Sequence, residues 1–451
     1  MYSKKKTLGQ FYTTNYNYIF QNFTIPKDTI NIIEPFAGKG DLLKFISNHD
    51  DLTIECYDID PKEESSFENK EKIKIKQRDT FKDPPVYNQK FIMTNPPFLA
   101  LNKTFDKDIF QKYKKDDLYK CFIEQIIRDP CDGGIVILPL NFWCSIRKQD
   151  ILLRKQFLQL YKIDQLNIFE EKVFQDTKYT ICSFQFTSYQ KIMTHTRSQN
   201  ENNKIYIETG KNKETEKSKR MNNSNNKNAE KNSDKNTDKN SDKNTDKNAD
   251  KNADKNAKKN VKNDEENKHE NQIKSSYPIH ITIYPQKIEL SCALEQKNNY
   301  MVGGEIYQLP QDKTLHIDRL THQNMNKDHE FHTQILLKCI DDNDHSKIDL
   351  KYVSLPIDQQ KYNCADYTKY IDQTPNLTNR SYAIIVIDKI LSIDKQKQLV
   401  VSFNQFLNEQ REKYHSLFLT NYRETTDIAR KRISFTLAFQ IINYLLSKSN
   451  D

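Results

Sequence analysis

Short apolar runs alternate with helical patterns through the first 190 residues of the chain. Seven of these runs have the length of a strand: Ile30–Ile33, Leu52–Tyr57, Ile73–Ile75, Phe91–Met93, Ile135–Leu138, Leu166–Ile168 and the stretch from Ile181 onward. Short strands that alternate with helices are typical of a parallel sheet covered by helices on both faces. The pattern therefore predicts an α/β fold built on a seven-stranded, mostly parallel, Rossmann-like sheet.

The composition changes abruptly between Thr196 and Ser275, where Lys, Asn, Asp, Ser and Glu dominate. Such a segment has almost no apolar surface to bury, so we expect it to be disordered. It separates two alternating, strand-like stretches, Ile181–Phe186 and Ile279–Tyr284. We favour an insertion in a loop between neighbouring strands, and a plain tether between domains is the alternative.

Charge and composition exclude several classes of protein. The formal net charge is +8, but residues 196–275 hold 20 Lys and Arg against 15 Asp and Glu, so five of the eight excess charges belong there. Bulk charge therefore gives little support for a nucleic-acid partner, and any basic face must be local. The eight cysteines form no Cys-x-x-Cys pair, which argues against a zinc site or a disulfide framework. Without a long apolar run or a signal-peptide pattern, we expect an intracellular protein, cytoplasmic or nucleoid-associated, with no membrane partner.

A glycine-containing loop, Glu34–Asp41, follows the first predicted strand. Gly38 and Gly40 would let the backbone approach a ligand closely and turn tightly into a helix that begins near Asp41. A single Gly-x-Gly loop is weak support for a nucleotide site. Two of the protein's eight glycines fall at this point, however, which makes the loop less easily dismissed.

Acidic side chains end the next two strands. Asp58 lies about twenty residues past the glycines, where a carboxylate can accept hydrogen bonds from both hydroxyls of a ribose. Asp79 could accept from an adenine amino group while Phe81 packs nearby. Each acid alone is typical of a solvated strand end. Three strand ends that all offer nucleoside-binding groups favour a cofactor pocket at the carboxyl edge of the sheet.

The fourth strand runs into Asn95-Pro96-Pro97-Phe98. Consecutive prolines end a strand and leave the Asn95 side chain and the Pro96 carbonyl as outward-facing acceptors. Two acceptors aimed at one exocyclic amine would hold its two protons and keep its lone pair out of conjugation with the ring. The Phe98 ring offers a flat surface on which a base can stack. A strand-ending turn with a core phenylalanine is the structural alternative.

These motifs together resemble a known family. The order Gly9–Thr13, Glu34–Gly40, Asp58–Pro61 and Asn95–Phe98 is similar to that of the N6-adenine DNA methyltransferases of restriction-modification systems. The resemblance is to the subclass in which the cofactor motifs come first and the target recognition region last. It covers roughly residues 3–190.

The resemblance implies S-adenosyl-L-methionine as cofactor and gives roles to further residues. Thr13 would contact the methionine part of the cofactor, and Asp117–Phe122 would close its adenine side. Phe174 would provide a second aromatic surface against the flipped base, with Tyr179 as the competitor. The cofactor set implied in this way is Thr13, Glu34, Ala37, Gly38, Gly40, Asp58, Asp79 and Phe81.

The resemblance also implies an organisation in three parts. Residues 1–195 would be the catalytic methyltransferase domain, 196–275 the disordered insertion, and 276–451 a strand continuation with a target recognition region. Apolar repeats predict helices over residues 402–417 and 424–447. Nearby basic residues would contact DNA phosphates or form an ordinary solvated helix face: Arg423, Arg430, Lys431 and Arg432.

The expected activity is methyl transfer to N6 of a flipped adenine in double-stranded DNA, with no metal and with a cognate restriction endonuclease as a further partner. The sequence has no Pro-Cys dipeptide, which argues against a cytosine C5 enzyme with a thiolate nucleophile. Two alternatives stay open. One is a methyltransferase acting on a protein glutamine or on RNA, since an amide nitrogen poses the same chemical problem. The other is a DNA-binding protein built on an inactive methyltransferase core.

Overall fold

The structure is a computed structural model that describes residues 13–46, 51–61, 73–174, 179–196, 278–321, 332–341, 347–353, 382–422 and 430–448. Gly9–Tyr12 and nearly all of the predicted insertion lie outside these residues. Contacts between residues divide the chain into two units, residues 1–188 with 277–451 and residues 189–276. Of the second unit, only a helical segment at residues 189–196 is described.

A nine-stranded sheet forms the centre of the first unit, with strand order β3-β2-β1-β4-β5-β7-β6-β8-β9. Its strands are β1 (Asn31–Glu34), β2 (Thr53–Asp58), β3 (Ile75–Gln77), β4 (Phe91–Thr94), β5 (Gly133–Pro139), β6 (Tyr161–Phe169), β7 (Ile181–Ser188), β8 (Ile279–Tyr284) and β9 (Ile288–Cys292). β3, β2, β1, β4 and β5 pair in parallel, whereas β7 is antiparallel to β5 and β6. All four residues of β4 and all seven of β5 are buried, as expected for central strands covered on both faces.

The seven predicted strands all occur, but the count of seven is wrong for the whole sheet. After the insertion, β8 pairs in parallel with β6, and β9 pairs antiparallel with β8. The stretches on either side of the insertion therefore belong to one sheet, as the alternating pattern indicated. They are not direct neighbours, because β6 lies between β7 and β8. Sequence periodicity gives a strand its faces but does not give it a partner.

Helices of the first part pack on this sheet. They are α1 (Tyr16–Ile19), α2 (Asp108–Tyr113), α3 (Leu118–Arg128), α4 (Asn141–Cys144) and α5 (Lys148–Leu160), with 3-10 turns at Asp41–Phe45 and Leu101–Lys103. Phe122 and Ile126 of α3 are fully buried in the same core as Ile135 and Ile137 of β5. This packing fixes α3 against the sheet close to the carboxyl ends of the parallel strands.

The remainder of the first unit contains two small sheets and two helices. A four-stranded antiparallel sheet has the order β10-β14-β11-β13, and a three-stranded sheet has the order β12-β16-β15. The strands are β10 (Ile317–Arg319), β11 (His332–Lys338), β12 (Ile340–Asp341), β13 (Asp349–Tyr352), β14 (Tyr382–Ile387), β15 (Thr420–Tyr422) and β16 (Arg430–Arg432), and the helices are α6 (Ile393–Tyr414) and α7 (Phe435–Lys448). Both predicted helices occur among the described residues, but their predicted bounds are wrong: α6 begins before residue 402 and ends before residue 417, and α7 begins later than residue 424 because residues 430–432 form a strand. Among the described residues, no helix is both long and apolar enough to cross a membrane.

Candidate functional site

The loop after β1 folds as two left-handed glycines require. Gly38 and Gly40 have φ angles of 57° and 79°, a region in which a side chain is strained. The amide of Ala37 donates to the carbonyl of Tyr57 at 2.8 Å, which ties the loop to the end of β2. Gly40 then serves as the N-cap of the 3-10 turn that begins at Asp41. The predicted glycine turn and helix start are confirmed.

Asp58 and Asp79 are held by backbone amides at the next two strand ends. Oδ2 of Asp58 accepts from the amide of Gly38 at 2.8 Å, and Oδ1 accepts from that of Asp60 at 2.8 Å. Oδ1 of Asp79 accepts from the amides of Phe81 at 3.1 Å and Lys82 at 3.2 Å. Because a carboxylate oxygen has more than one acceptor position, both acids keep acceptor capacity for a ligand.

Glu34 is the most buried acid of the loop, with 1% of its surface exposed. Its Oε1 accepts from the hydroxyl of Thr94 at 2.6 Å and from the amide of Phe36 at 3.1 Å. Its Oε2 is buried and has no hydrogen-bond partner among the described residues. Burial raises the pKa of Glu34 to about 8, although the bonds from Thr94 and Phe36 lower it in part. Glu34 thus joins β1 to β4 immediately before Asn95.

The Asn95 amide is oriented by Thr13. Nδ2 of Asn95 donates to the hydroxyl oxygen of Thr13 at 3.0 Å, and both residues are buried. This contact turns the donor end of the amide towards Thr13 and the acceptor end, Oδ1, to the other side. Thr13 was predicted to contact the cofactor, a role that nothing in the structure tests. Its contact with Asn95 was not anticipated from the sequence.

The Phe98 ring is enclosed by two tyrosines. It is 4% exposed, and the rings of Tyr119 and Tyr179 meet it edge to face, each with centroids 6.2 Å apart. Phe174 is also buried, at 6%. Tyr179, the alternative to Phe174 as a base-stacking residue, contacts Phe98.

One pocket gathers the strand-end residues. It contains about 1050 Å³ of empty space, including the part open to solvent. The predicted site residues on its wall are Gly38, Asp58, Asp79, Phe81, Asn95 and Pro97. The wall does not include Thr13, Glu34, Ala37, Gly40, Pro96, Phe98 or Phe174.

Further residues line the pocket, and except for Leu118 they were not assigned to it from the sequence. Phe36 packs against Phe81 with ring centroids 5.0 Å apart, and Ile109 and Phe110 of α2 add apolar surface. Leu118 lies at the start of α3, within the predicted Asp117–Phe122 motif. The complete additional set is Phe36, Ile59, Arg78, Thr80, Lys82, Leu99, Thr104, Asp106, Ile109, Phe110 and Leu118. Ile109 and Phe110 could have been proposed from the sequence, because they form an apolar pair in a short helix after the Asn-Pro-Pro turn.

Asp117 fastens the segment that follows Phe98. Its Oδ1 accepts from the amide of Leu99 at 3.1 Å, and the amide of Leu118 donates to the carbonyl of Leu99 at 3.1 Å. Burial raises the pKa of Asp117 to about 7. The start of α3 and the Asn-Pro-Pro-Phe turn are therefore fixed to each other.

The basic residues near the C-terminus are not on a helix face where they are described. Arg430, Lys431 and Arg432 form β16, while Arg423 lies outside the described residues. The Nζ of Lys431 forms an ion pair with Glu170 at 2.7 Å, and His415 lies 3.3 Å from the same carboxylate. Burial would raise the pKa of Glu170, but His415 and Lys431 lower it to about 2. Among the described residues, no group of three or more His, Cys, Asp or Glu is placed to hold a metal ion.

Comparison with known proteins adds a partial family match. Residues 166–325 match a family described as "PF3D7_1223600 middle domain". The match covers the last strands of the first part, the predicted insertion and the start of the C-terminal region. No curated protein matches the chain.

Several solved structures resemble the chain over less than half of its length. A provisionally assigned modification subunit of a type I restriction enzyme from Vibrio vulnificus YJ016 is 13% identical, with 40% of this chain and 44% of that chain covered and a TM-score of 0.30. A type I restriction-modification methyltransferase subunit from Streptococcus thermophilus is 14% identical, with coverages of 39% and 42% and a TM-score of 0.28. The M protein of type I restriction enzyme EcoKI is 14% identical, with coverages of 40% and 44% and a TM-score of 0.29. The chain spans less than half the length of these neighbours, and likeness at this level does not assign an activity to it.

Proposed function

We propose that the chain is an S-adenosyl-L-methionine-dependent methyltransferase that acts on the N6 amino group of adenine in double-stranded DNA. One observation carries the proposal. Asn95 and Pro97 line the same pocket as Gly38, Asp58 and Asp79, so the candidate amine-holding turn and the candidate nucleoside-binding groups share one cavity. A cofactor-binding domain over residues 1–195 and a recognition region after the insertion are part of this proposal.

The chemistry of the pocket fits the cofactor. Asp58 and Asp79 offer carboxylate acceptors for ribose and adenine, and Phe36 and Phe81 offer aromatic surface for the base. The left-handed Gly38 and Gly40 leave space beside the loop that a Cβ atom would reduce. Glu34 adds a buried Oε2 without a hydrogen-bond partner among the described residues, next to this loop. When bound, S-adenosyl-L-methionine supplies an electrophilic methyl group.

The residues of the turn prepare the nucleophile. Oδ1 of Asn95 and the carbonyl oxygen of Pro96 accept the two protons of the adenine amine, which keeps the nitrogen lone pair available for in-line attack. Thr13 holds the Asn95 amide in the orientation that this requires. Rate enhancement then comes from positioning and from fixed acceptors, without a covalent enzyme intermediate. The proton that the amine loses passes to solvent.

DNA is favoured over RNA and protein by the resemblance of the motifs in residues 3–190 and by a C-terminal region with no other evident task. An adenine inside a duplex must be extruded before it can reach a pocket. Phe98, with Tyr179 or Phe174, is the aromatic surface proposed to receive it. Because Phe98 and Phe174 are buried and lie off the pocket wall, the side chains around them must move to admit the base. A cognate restriction endonuclease stays a proposed partner.

A substrate-class assay tests the proposal. Wild-type protein is incubated with tritium-labelled S-adenosyl-L-methionine and, separately, with plasmid DNA, total RNA and a protein extract, and Asn95→Ala serves as the blank. Labelled DNA is digested to nucleosides and separated by chromatography. We expect label in N6-methyl-2′-deoxyadenosine from the DNA digest and no label in the RNA or protein samples. Label in methylated glutamine or in RNA would show that the protein or the RNA is the substrate. Failure to bind the cofactor in calorimetry would support a DNA-binding protein with an inactive methyltransferase core.

A further inference from the structure

One aromatic side chain on the rim of the pocket is fully exposed. Phe105 has a relative exposure of 104%, and it is the only aromatic among the strongly exposed large apolar residues of the described chain. Single exposed apolar residues are common, so exposure alone assigns no role. Its position does, because the residues on both sides of it, Thr104 and Asp106, line the pocket.

The turn that presents Phe105 is anchored on both sides. The amide of Leu101 donates to the carbonyl of Asp116 at 2.9 Å, and the amide of Lys103 donates to that of Ala100 at 2.8 Å. After Phe105, the amide of Asp108 donates to Oδ1 of Asp106 at 3.1 Å, at the start of α2. The ring is therefore held outwards by a fixed turn.

The same turn lies on the side of the pocket where Phe98 is found. The Nζ of Lys103 lies 5.8 Å from the ring centroid of Tyr179, and Tyr179 in turn meets the ring of Phe98. Lys103 and Lys107 are both exposed and bracket Phe105 at two residues on each side. Asp106 and Asp108 are also exposed, so the turn has no net positive charge, and the exposed ring with a lysine on each side is the feature that suits a polyanion with stacked rings. Duplex DNA has both features, since phosphates attract lysines and an apolar wedge can enter between base steps.

We propose that Phe105 enters duplex DNA beside the target adenine and fills the space that the extruded base leaves, with Lys103 and Lys107 on the flanking phosphates. This inference rests on the proposed function and adds a positioning residue to it. The ring acts on the DNA and touches no reacting atom. It stabilises the extruded state by replacing the stacking that the departing base gave up.

The test uses a duplex that contains the adenine found methylated by the wild-type protein. In one duplex this adenine is paired with thymine, and in the other it faces an abasic site. Extrusion of an unpaired base costs less free energy. Single-turnover methyl transfer is measured for wild type, Phe105→Ala, Phe105→Trp and the control Ile30→Ala. Ile30 is 64% exposed and precedes β1, at the amino edge of the sheet.

We expect Phe105→Ala to slow transfer about tenfold or more on the paired duplex and less than about threefold on the abasic duplex, because extrusion of the unpaired base costs less free energy and so depends less on the wedge. Phe105→Trp and Ile30→Ala should stay near wild type. Equal rates of Phe105→Ala and wild type on the paired duplex overturn the inference, as does an equal loss on both duplexes. Weaker cofactor binding by Phe105→Ala without DNA would show instead that the ring covers the cofactor. If the wild type methylates no duplex, the proposed function fails and this inference fails with it.

Discussion

At the scale of single residues, the hydrogen bond between Asn95 and Thr13 fixes the orientation of the Asn95 side-chain amide. Nδ2 of Asn95 donates to Thr13, so in the proposed reaction Oδ1 is the amide atom that accepts from the adenine amine. Asn95→Ala should lower kcat by roughly 10²–10³-fold, the loss typical for removal of one fixed group that stabilises a transition state. Affinity for S-adenosyl-L-methionine, measured by calorimetry, should stay close to wild type.

Asn88→Ala is the matched control for this substitution, because Asn88 is exposed and lies before β4, at the opposite end of the strand. Asn88→Ala should leave both kcat and the affinity for S-adenosyl-L-methionine unchanged. Near-normal turnover of Asn95→Ala would contradict the assigned role. Thr13→Val adds a finer readout, since loss of the hydroxyl should lower kcat less than Asn95→Ala does.

Glu34 should make stability fall as the pH rises. Its pKa is about 8 in the folded chain, against an ordinary value of 4.5, because burial disfavours the charged form. Between these values the folded state binds a proton that the unfolded state has lost. This stabilisation is therefore complete below about pH 4.5 and is lost as the pH rises to about 8.

Urea unfolding of wild type and Glu34→Gln across that pH range tests whether the free energy of unfolding falls as the pH rises. Relative to the variant, the free energy of unfolding of the wild type should fall by about 1.4 kcal/mol per pH unit. Asp117 titrates in both proteins and cancels in the difference. Parallel pH profiles of the two proteins would show that Glu34 is ionised throughout.

At the scale of elements, the loop after β1 depends on two left-handed residues. Gly40→Ala places a Cβ at a φ of 79° and should cost about 1–2 kcal/mol of stability. It should also weaken cofactor binding, because the strain is relieved by moving the loop that lines the pocket. Gly303→Ala, at a φ of 68° in the C-terminal region, is the control away from the pocket, and it is the harsher change because its Cβ would also lie 2.9 Å from the Tyr414 ring. It should destabilise the fold and leave cofactor affinity unchanged; equal affinity losses in the two variants would refute a local role for the loop.

The sequence predicts which strands exist better than it predicts how they pair. Each strand from β1 to β7 carries its own apolar run, so its existence was readable from local pattern. The pairing of β8 with β6 depends on contacts more than 100 residues apart, which no periodicity encodes. The start of α7 was misplaced for a related reason. The predicted helix included residues 430–432, but these three residues are all basic and pair with β12 and β15 as a strand.

The residues of the candidate site likewise fall into those that local sequence predicts and those that it does not. Gly38, Asp58, Asp79 and Asn95 were predictable because each follows a strand, and the carboxyl ends of parallel strands meet at one edge. Phe105 and the Tyr179 contact with Phe98 were not. The exposure of Phe105 depends on how the turn after Leu101 folds, and the Tyr179 contact joins residues 81 positions apart, so local sequence patterns indicate neither.

At the scale of the whole molecule, Lys431 has two competing roles. The sequence made it a candidate DNA-phosphate contact in the recognition region. In the structure it pairs with Glu170, which lies just after β6 and four residues before Phe174. Lys431 and His415 thus connect the C-terminal region to the loop that carries a candidate base-stacking residue. Glu170 has a lowered pKa, so its contribution to stability is present above about pH 4.5 and is lost as the pH falls towards about 2.

Lys431→Met separates the two roles. If the pair with Glu170 is its main function, the free energy of unfolding falls by about 1.5–3 kcal/mol, since a charged and largely buried hydrogen bond is lost. The dependence of DNA affinity on salt then stays as in wild type. A phosphate contact would instead reduce the slope of log affinity against log salt by about one and leave stability intact. Lys351→Met is the control, because Lys351 is 62% exposed and its pair with Asp349 spans 3.9 Å. That surface pair should contribute less than about 1 kcal/mol. We expect the stability loss, because Lys431 Nζ lies 2.7 Å from a carboxylate at a site where both side chains are mostly shielded from water.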